Sequence, residues 1–452
     1  MTVTAIVGAQ WGDEGKGKVV DYLAQEADLV IRYNGGDNAG HTIVNDLGTF
    51  KLRLTPSGIF NPAVTCLIGP GVVVSPATLL AELADLDSRG VSTKGLLVSE
   101  RAHVVMPYHL LLDQLQERSR GEAPQGTTGR GIAPAYADKA SRVGLRIGDL
   151  LDGDFLRRQL REVAEWHDPV LVTRAAAPLD VPSLARQCLE WGEALRPRIA
   201  DTLPVVRRAL RDGQRVVLEG QLGALRDLDW GIYPYSTSST TLAGGASAGA
   251  GVPPHRVDRV VGVAKAYTTA VGAGPVPAEL ADDVGELLRE AGREYGTATG
   301  RARRCGWFDA VATRFAAELN GVDELALTKL DVLDGLPRLR ICVAYRAGNR
   351  LLDSVPTARA LEHVAPVYEE LPGWQRPTAG ARDLAALPDE ALAYIRRIQA
   401  LVGVPVRLIG TGAHRRDTIH RRDAAAPFER GCRPAWGRHL REGAETAEGL
   451  RG

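Results

Sequence analysis

Ala5-Ile6-Val7-Gly8-Ala9-Gln10-Trp11-Gly12-Asp13-Glu14-Gly15-Lys16-Gly17-Lys18 is the stretch whose reading decides the fold. An apolar strand runs into glycines and lysines, then into Val19, Val20 and Leu23 at helical spacing. That arrangement aims backbone N–H groups and a helix N-terminus at an anion, so it reads as a phosphate cradle. The ordinary nucleotide loop, G-x-x-x-x-G-K-[ST], is not matched. Two more residues separate Gly8 from Gly15, and Gly17 stands where the metal-binding hydroxyl would be. The variant gains Asp13, a carboxylate inside the loop. After the apolar strand Leu29-Val30-Ile31 it also gains a second glycine-rich turn, Gly35-Gly36-Asp37-Asn38-Ala39-Gly40-His41-Thr42, whose histidine is a candidate for proton transfer.

Strand, helix, strand implies a buried parallel sheet. The strand signal repeats at Thr65 to Ile68, Val72 to Val74, Leu96 to Val98, His103 to Val105, Val216 to Glu219, Val260 to Val263, Leu325 to Leu327, Ile341 to Tyr345 and Val406 to Ile409. Ser75-Pro76 is a helix start, a capping hydroxyl before proline at the first helical position. Residues 154–212 read as mostly helical scaffold, and Pro388-Asp389 opens another helix. The expected fold is α/β: a large, mostly parallel central sheet flanked by helices, with small antiparallel and helical elaborations. No internal repeat or linker divides the chain. Residues 1–419 are expected to form one domain, and residues 420–452 an Ala-, Gly- and Arg-rich extension, partly disordered.

Composition narrows the function. The chain has 452 residues with 55 basic and 55 acidic side chains, so it lacks the electrostatic footprint of a nucleic-acid binder. No apolar run approaches the ~18 residues of a membrane span. Cys66, Cys188, Cys305, Cys342 and Cys432 are scattered without a C-x-x-C pair, and no leader precedes the first strand. A cytoplasmic protein acting on small molecules, without structural zinc, is expected.

Other segments carry candidate chemistry. Gln125 onward, through Gly126-Thr127-Thr128-Gly129-Arg130-Gly131 to Lys139, Arg142 and Arg146, lacks a core-forming pattern and is expected to be a loop serving a ligand or partner. Thr297-Ala298-Thr299-Gly300-Arg301-Ala302-Arg303-Arg304 could clamp two carboxylates through bidentate guanidinium contacts; a solvated basic turn is the plain alternative. Thr328-Lys329-Leu330-Asp331 ends a strand in Lys-x-Asp, a pairing that suits guanine, with the carboxylate accepting from N1–H and N2–H.

Together these motifs resemble the adenylosuccinate synthetase family, in register from about Val3 to Ile419. The likeness rests on Gln10 to Lys18, Asn38 to Thr42, Gly126 to Gly131, Gly272-Ala273-Gly274-Pro275 and Thr328 to Gly335. The resemblance implies a homodimeric, GTP- and Mg²⁺-dependent ligase related to the P-loop GTPases, which joins IMP to aspartate. It implies that Asp13 takes the purine N1 proton and reaches the metal with the Gly40 carbonyl, and that His41 and Lys16 serve the transferring phosphoryl group. GTP would lie on Gly12, Glu14, Gly15, Lys16, Gly17, Lys18, Gly40, His41, Thr42, Arg303, Lys329, Asp331, Gly410 and Gly412. IMP would meet Asp13, Asn38, Thr128, Leu222, Thr237, Val271 and Arg301, with Arg142 reaching the other subunit's site, and aspartate would meet Thr297, Thr299, Arg301 and Arg303.

The chain departs from the family pattern at substrate-facing positions. Glu219-Gly220-Gln221-Leu222-Gly223 puts leucine where an amide would touch the purine 6-oxygen, so Gln221 is a candidate to swing in as the catalytic donor. Losing one such donor costs roughly 2.7–4 kcal/mol. Asp37 adds a carboxylate near the catalytic turn, and Ala298 and Ala302 thin the aspartate loop. Ala270 replaces an arginine, and Gly410-Thr411-Gly412-Ala413 lacks a serine and a proline. Two alternatives follow: a paralogue acting on a modified purine nucleotide, or a GTP-binding protein without catalysis.

Overall fold

The computed structural model describes residues 2–121, 125–296 and 300–421. Its central sheet has 10 strands: β1 (Val3–Gly8), β2 (Leu29–Arg32), β3 (Thr65–Ile68), β4 (Leu96–Ser99), β5 (Ile199–Ala200), β6 (Val216–Glu219), β7 (Arg259–Lys265), β8 (Glu324–Thr328), β9 (Val406–Gly410) and β10 (Thr418–His420). Their spatial order is β10-β9-β8-β7-β1-β6-β2-β3-β4-β5. Every neighbouring pair is parallel except β9 with β10 at one edge.

Burial on both faces explains the unbroken apolar text of the inner strands, since parallel sheets are covered on each side. Every residue of β1, β2 and β6 is buried. Along β1 the side chains alternate: Val3, Ala5 and Val7 pack with Leu29, Ile31 and Leu218, whereas Ile6 packs on the other face with Val30, Cys66 and Val217. The chain leaves β1 at the middle of the sheet and enters helix α1 (Lys16–Leu23). Because β1, β2, β6, β7, β8 and β9 run the same way, the loops that follow them gather along one edge, where open α/β sheets bind ligands.

The helical stretch resolves into Gly153–Thr173, Val181–Leu195 and Leu203–Arg211. Ser75 caps Pro76–Ser88, its hydroxyl accepting from Thr78 N. A turn at Gly348-Asn349 joins strands Arg338–Ala347 and Arg350–Leu352 in a small antiparallel sheet.

Two segments differ from expectation. The polar text after Gln125 contains a helix, Ile132–Ser141, because Ile132 and Ala135 bury a narrow apolar face against Val73 and Val105. The residues following Gly40 form a hairpin, His41–Asn45 with Gly48–Leu52, in which Ile43 pairs with Phe50. The last strand ends at His420, one residue beyond the expected domain limit of 419, and residues 422–452 of the expected extension lie outside the described residues. Among the described residues no helix is long and apolar enough to cross a membrane.

Candidate active site

The loop after β1 is held open by its own carboxylate. Glu14, fully buried, accepts from Gln10 N at 3.1 Å and Gly12 N at 2.9 Å, and Lys16 Nζ donates to it at 2.5 Å. Gly17 explains the missing hydroxyl of the ordinary nucleotide loop. A Cβ there would lie 2.6 Å from His41 Cβ, so any side chain would drive the second glycine-rich turn off the helix start. Asp13 sits at φ +58, a conformation non-glycine residues rarely adopt, and its Oδ2 lies 2.9 Å from Arg303 Nε.

His41 is set by β6. Its Nδ1 is 2.6 Å from Glu219 Oε1, and Glu219 also accepts from Ser57 N at 2.8 Å and Ser57 Oγ at 2.6 Å. Burial pushes the Glu219 carboxyl up, but hydrogen bonds from His41 and Ser57 and the charge of Arg32 outweigh it and hold it below its ordinary value. With Nδ1 committed to a carboxylate, Nε2 is the nitrogen left to face a ligand.

A second buried carboxylate, Glu294, gathers cations. Lys265 Nζ lies at 2.8 Å, Lys329 Nζ at 2.7 Å and an Arg303 terminal nitrogen at 2.5 Å. Burial works against the charge on Glu294, and those three cations overcome it, leaving its pKa well below the usual range. Burial brings Lys265 down to about 8, the Glu294 charge notwithstanding. Arg303 thus bridges two carboxylates, as its sequence suggested, but both belong to the chain itself: Asp13 and Glu294.

After β8, Lys329 adopts φ +58 and also donates to Gly292 O at 2.6 Å. Asp331 is half-buried, its carboxyl pushed up by that burial, and among the described residues its Oδ1 has no hydrogen-bond partner. A buried carboxylate oxygen without a donor is the feature a guanine N1–H and N2–H pair would satisfy. Lys18 Nζ donates to Gly412 O and Asp417 O, each at 2.7 Å, tying α1 to the loop after β9. Burial lowers Lys18 to about 8 against the opposing charges of Asp417 and Asp331.

A cavity of about 360 Å³ opens beside this assembly, lined by Asp13, Asn38, Ala39, Gly40, Thr128, Leu222, Arg226, Thr237, Val271 and Arg301 among others. Thus Asp13 and Gly40 line the same cavity as the candidate acceptor-binding residues. Arg301 reaches Gly126 O at 2.9 Å. Arg142 is exposed at the C-terminus of Ile132–Ser141, at φ +66, and does not line the cavity of its own chain. Thr297, Ala298 and Thr299 lie outside the described residues.

Gln221 corrects the expectation placed on it. It does not swing into the cavity: its Oε1 accepts from Gly36 N at 3.0 Å and from Arg32, and its Nε2 donates to Asn38 Oδ1 at 2.6 Å. Leu222, at φ +61, lines the cavity instead. Gln221 therefore acts one step back, orienting Asn38 and the Gly35-Gly36 turn. Asp37 likewise turns from the cavity, accepting from Thr78 Oγ1 at 2.8 Å.

Sequence reasoning did not single out Glu294 or the pairing of Glu219 with His41. Neither carries a local signature, although a glutamate closing a fully apolar strand, as Glu219 does, is a signal of a buried functional carboxylate.

Comparison with known proteins agrees with this geometry. The adenylosuccinate synthetase family model matches residues 5–419. The chain is 51% identical over 421 residues to the adenylosuccinate synthetase of Moorella thermoacetica, covering 93% of this chain and 99% of that one. It is 52% identical over 426 residues to that of Thermomicrobium roseum, with coverage of 93% and 99%. A solved structure of fully ligated adenylosuccinate synthetase from Plasmodium falciparum superposes with a TM-score of 0.88 at 36% identity, over 93% of this chain and 100% of that chain. A cyanophage succinoaminodeoxyadenylate synthetase shares the fold, at 21% identity and a TM-score of 0.58.

Proposed function

The chain belongs to the adenylosuccinate synthetase family, GTP-dependent ligases that join IMP to aspartate, and we propose that Asp13, His41 and Lys16 carry that chemistry here. The purine 6-oxo group is a poor leaving group, so its oxygen is phosphorylated before an amine can displace it. IMP occupies the cavity under Leu222, its phosphate on Asn38, Thr128 and Thr237 and its sugar against Val271. Asp13 accepts the N1 proton, turning the 6-oxygen into the nucleophile. The new O6–P bond forms as the bond between the γ-phosphorus of GTP and its bridging oxygen breaks, and GDP departs. His41, oriented by Glu219, donates from Nε2 to the phosphoryl group, while Lys16 and the N–H groups of Gly15 and Gly17 balance phosphate charge. The aspartate amine then forms the bond to C6, and inorganic phosphate leaves with the 6-oxygen.

Asp331 and Lys329 would read the guanine of GTP, beside Gly410 and Gly412, and Lys18 would fix the loop that carries these glycines. Arg301 and Arg303, with Thr297 and Thr299, would hold aspartate, which requires Arg303 to exchange Asp13 for a substrate carboxylate. Asp13 and Gly40 border one cavity and suit Mg²⁺, a hard cation that takes few protein oxygens and leaves most of its shell to phosphate and water. When bound, Mg²⁺ neutralises charge between the transferring phosphates.

We extend the proposal to a homodimer in which exposed Arg142 reaches the acceptor phosphate of a second copy. Residues 1–419, with His420 completing β10, act as one ligase unit in it, and the remainder of the chain to 452 as an appendage. A cytoplasmic setting fits the buried free thiols Cys66, Cys188, Cys305 and Cys342.

The single observation that carries this reading is Asp13, held by Arg303 at the mouth of the phosphate loop and open to the acceptor cavity. Neither a paralogue's substrate nor a silent GTP binder is favoured, given about half identity to named adenylosuccinate synthetases over nearly the whole chain. Incubation with GTP, Mg²⁺, aspartate and IMP, followed by absorbance of the 6-amino adduct, tests it. Product with IMP is expected; product only with a modified purine nucleotide overturns the substrate, and GTP binding without product overturns the reaction.

A further inference from the structure

Leu222 lines the cavity with an apolar side chain and gives it no amide donor. Four residues on, the turn Ala224–Arg226 brings a guanidinium into the cavity wall. Arg226 is only 8% exposed. Among the described residues no carboxylate lies within ion-pair distance of it, whereas Lys16, Lys265, Arg303 and Lys329 each pair with a buried glutamate. Its partners are backbone carbonyls of two separate loops. One terminal nitrogen donates to Tyr235 O and to Ala273 O at 2.5 and 2.9 Å, and the other donates to Val271 O at 2.8 Å.

Those loops are the walls of the cavity. The strap from Val271 to Gly274 is gripped from both sides, because Arg304 donates to Gly274 O at 2.7 Å and to Gly272 O at 3.4 Å while Arg226 takes the alternate carbonyls. Gly274, at φ +101, lets Tyr235 pack against the strap, since a Cβ there would lie 2.7 Å from Tyr235 Cβ. Gln125 Nε2 then joins Pro234 O at 2.6 Å, closing the ring of loops on the Thr128 side. Ala270 contributes only a methyl group to this region, and Arg304 is paired with Glu279, so the cation without an acid partner here is Arg226.

We infer that Arg226 is a positioning residue of the acceptor site: by tying Val271, Ala273 and Tyr235 to one guanidinium it fixes the cavity walls that hold the acceptor nucleotide, and it brings a positive charge without an acid partner to the same cavity that Leu222 lines without a donor. A purine nucleotide that loses its N1 proton to Asp13 becomes more anionic in this cavity, and a buried cation without an acid partner suits it. The electrostatic coupling between Arg226 and Asp13 runs the same way: burial brings the guanidinium down to about 10, with the Arg304 charge adding to that fall and the Asp13 charge opposing it. A lysine cannot replace this fork, because a single ammonium does not span three carbonyls on two loops in a fixed plane.

The inference rests on the reading of the cavity as the IMP site, and one pair of titrations separates the two. Binding of IMP and of GTP is measured calorimetrically on the wild-type enzyme, Arg226→Met and Arg226→Lys, with steady-state KM for each substrate. The expected result is an IMP affinity weakened about 10- to 100-fold in Arg226→Met and less in Arg226→Lys, with GTP affinity within about twofold of wild type, as loss of charge-assisted hydrogen bonds implies. If Arg226→Met does not fold, the same split in Arg226→Lys decides. Equal weakening of both ligands reduces Arg226 to a general structural role and overturns the inference, as does unchanged IMP binding. Failure of the wild-type enzyme to bind IMP overturns the reading of the cavity itself.

Discussion

His41 Nδ1 lies 2.6 Å from Glu219 Oε1, a contact across 178 residues of sequence that joins the second glycine-rich turn to the end of β6. The carboxylate fixes the ring and leaves Nε2 as the nitrogen proposed to donate the proton. Glu219→Gln keeps the size and the contact but replaces a charged acceptor, so kcat should fall about 10²- to 10⁴-fold, the range of a general acid's contribution, with KM for IMP little changed. Steady-state kinetics check this, and a variant with wild-type kcat removes His41 from acid catalysis.

Asp331 offers a buried Oδ1 with no donor of its own. If it receives guanine N1–H and N2–H, Asp331→Asn should weaken GTP by about 10- to 150-fold through loss of a charged acceptor, and should improve use of xanthosine triphosphate, whose 2-oxo group can accept from the new amide. Competition between the two nucleotides measures the shift. An unchanged preference would place the base elsewhere.

Gln221 spends its amide on Arg32, Gly36 and Asn38. Gln221→Leu should therefore act through Asn38, raising KM for IMP roughly tenfold as one hydrogen-bonded support is lost, while kcat changes less. A kcat loss of several hundredfold with KM unchanged would instead make Gln221 a direct donor in the transition state, measured by full kinetics on the variant.

His103 is buried, and desolvation together with Lys139 and Arg146 lowers its pKa from 6.5 to about 4. Above pH 6.5 the imidazole is neutral in folded and unfolded chains alike, so its contribution is fully present there. As pH falls from 6.5 toward 4 the unfolded chain binds a proton that the folded chain refuses, and stability drops by about 1.4 kcal/mol per pH unit from this site. Denaturant midpoints at pH 7 and pH 5 for wild type and His103→Gln check this: the variant should lose less stability on acidification, and equal losses contradict it.

What the chain showed in advance divides along physical lines. The inner strands were legible because burial on two faces demands unbroken apolar text, as in β1, β2 and β6. Asp13 and His41 were legible because they sit in glycine turns with no other use for an acid or an imidazole. The helix Ile132–Ser141 was not, since its buried face is only Ile132, Pro134, Ala135 and Asp138 and its remaining surface is polar. Glu294, Arg226 and the orientation of Gln221 were not, because each works through partners distant in sequence: Lys265 and Lys329 for Glu294, Val271 and Ala273 for Arg226, Asn34 and Asn38 for Gln221. Sequence names the reacting groups; what positions them is settled by packing.

The central claim is that the acceptor oxygen is phosphorylated before the amine arrives, with Asp13 taking the ring proton that makes this possible. IMP labelled with ¹⁸O at the 6-position, turned over with GTP, Mg²⁺ and aspartate, tests it most directly by mass analysis of the released phosphate. The label should appear in inorganic phosphate, one atom per adduct formed, and Asp13→Asn should abolish both together. Unlabelled phosphate accompanying full product formation would contradict the account.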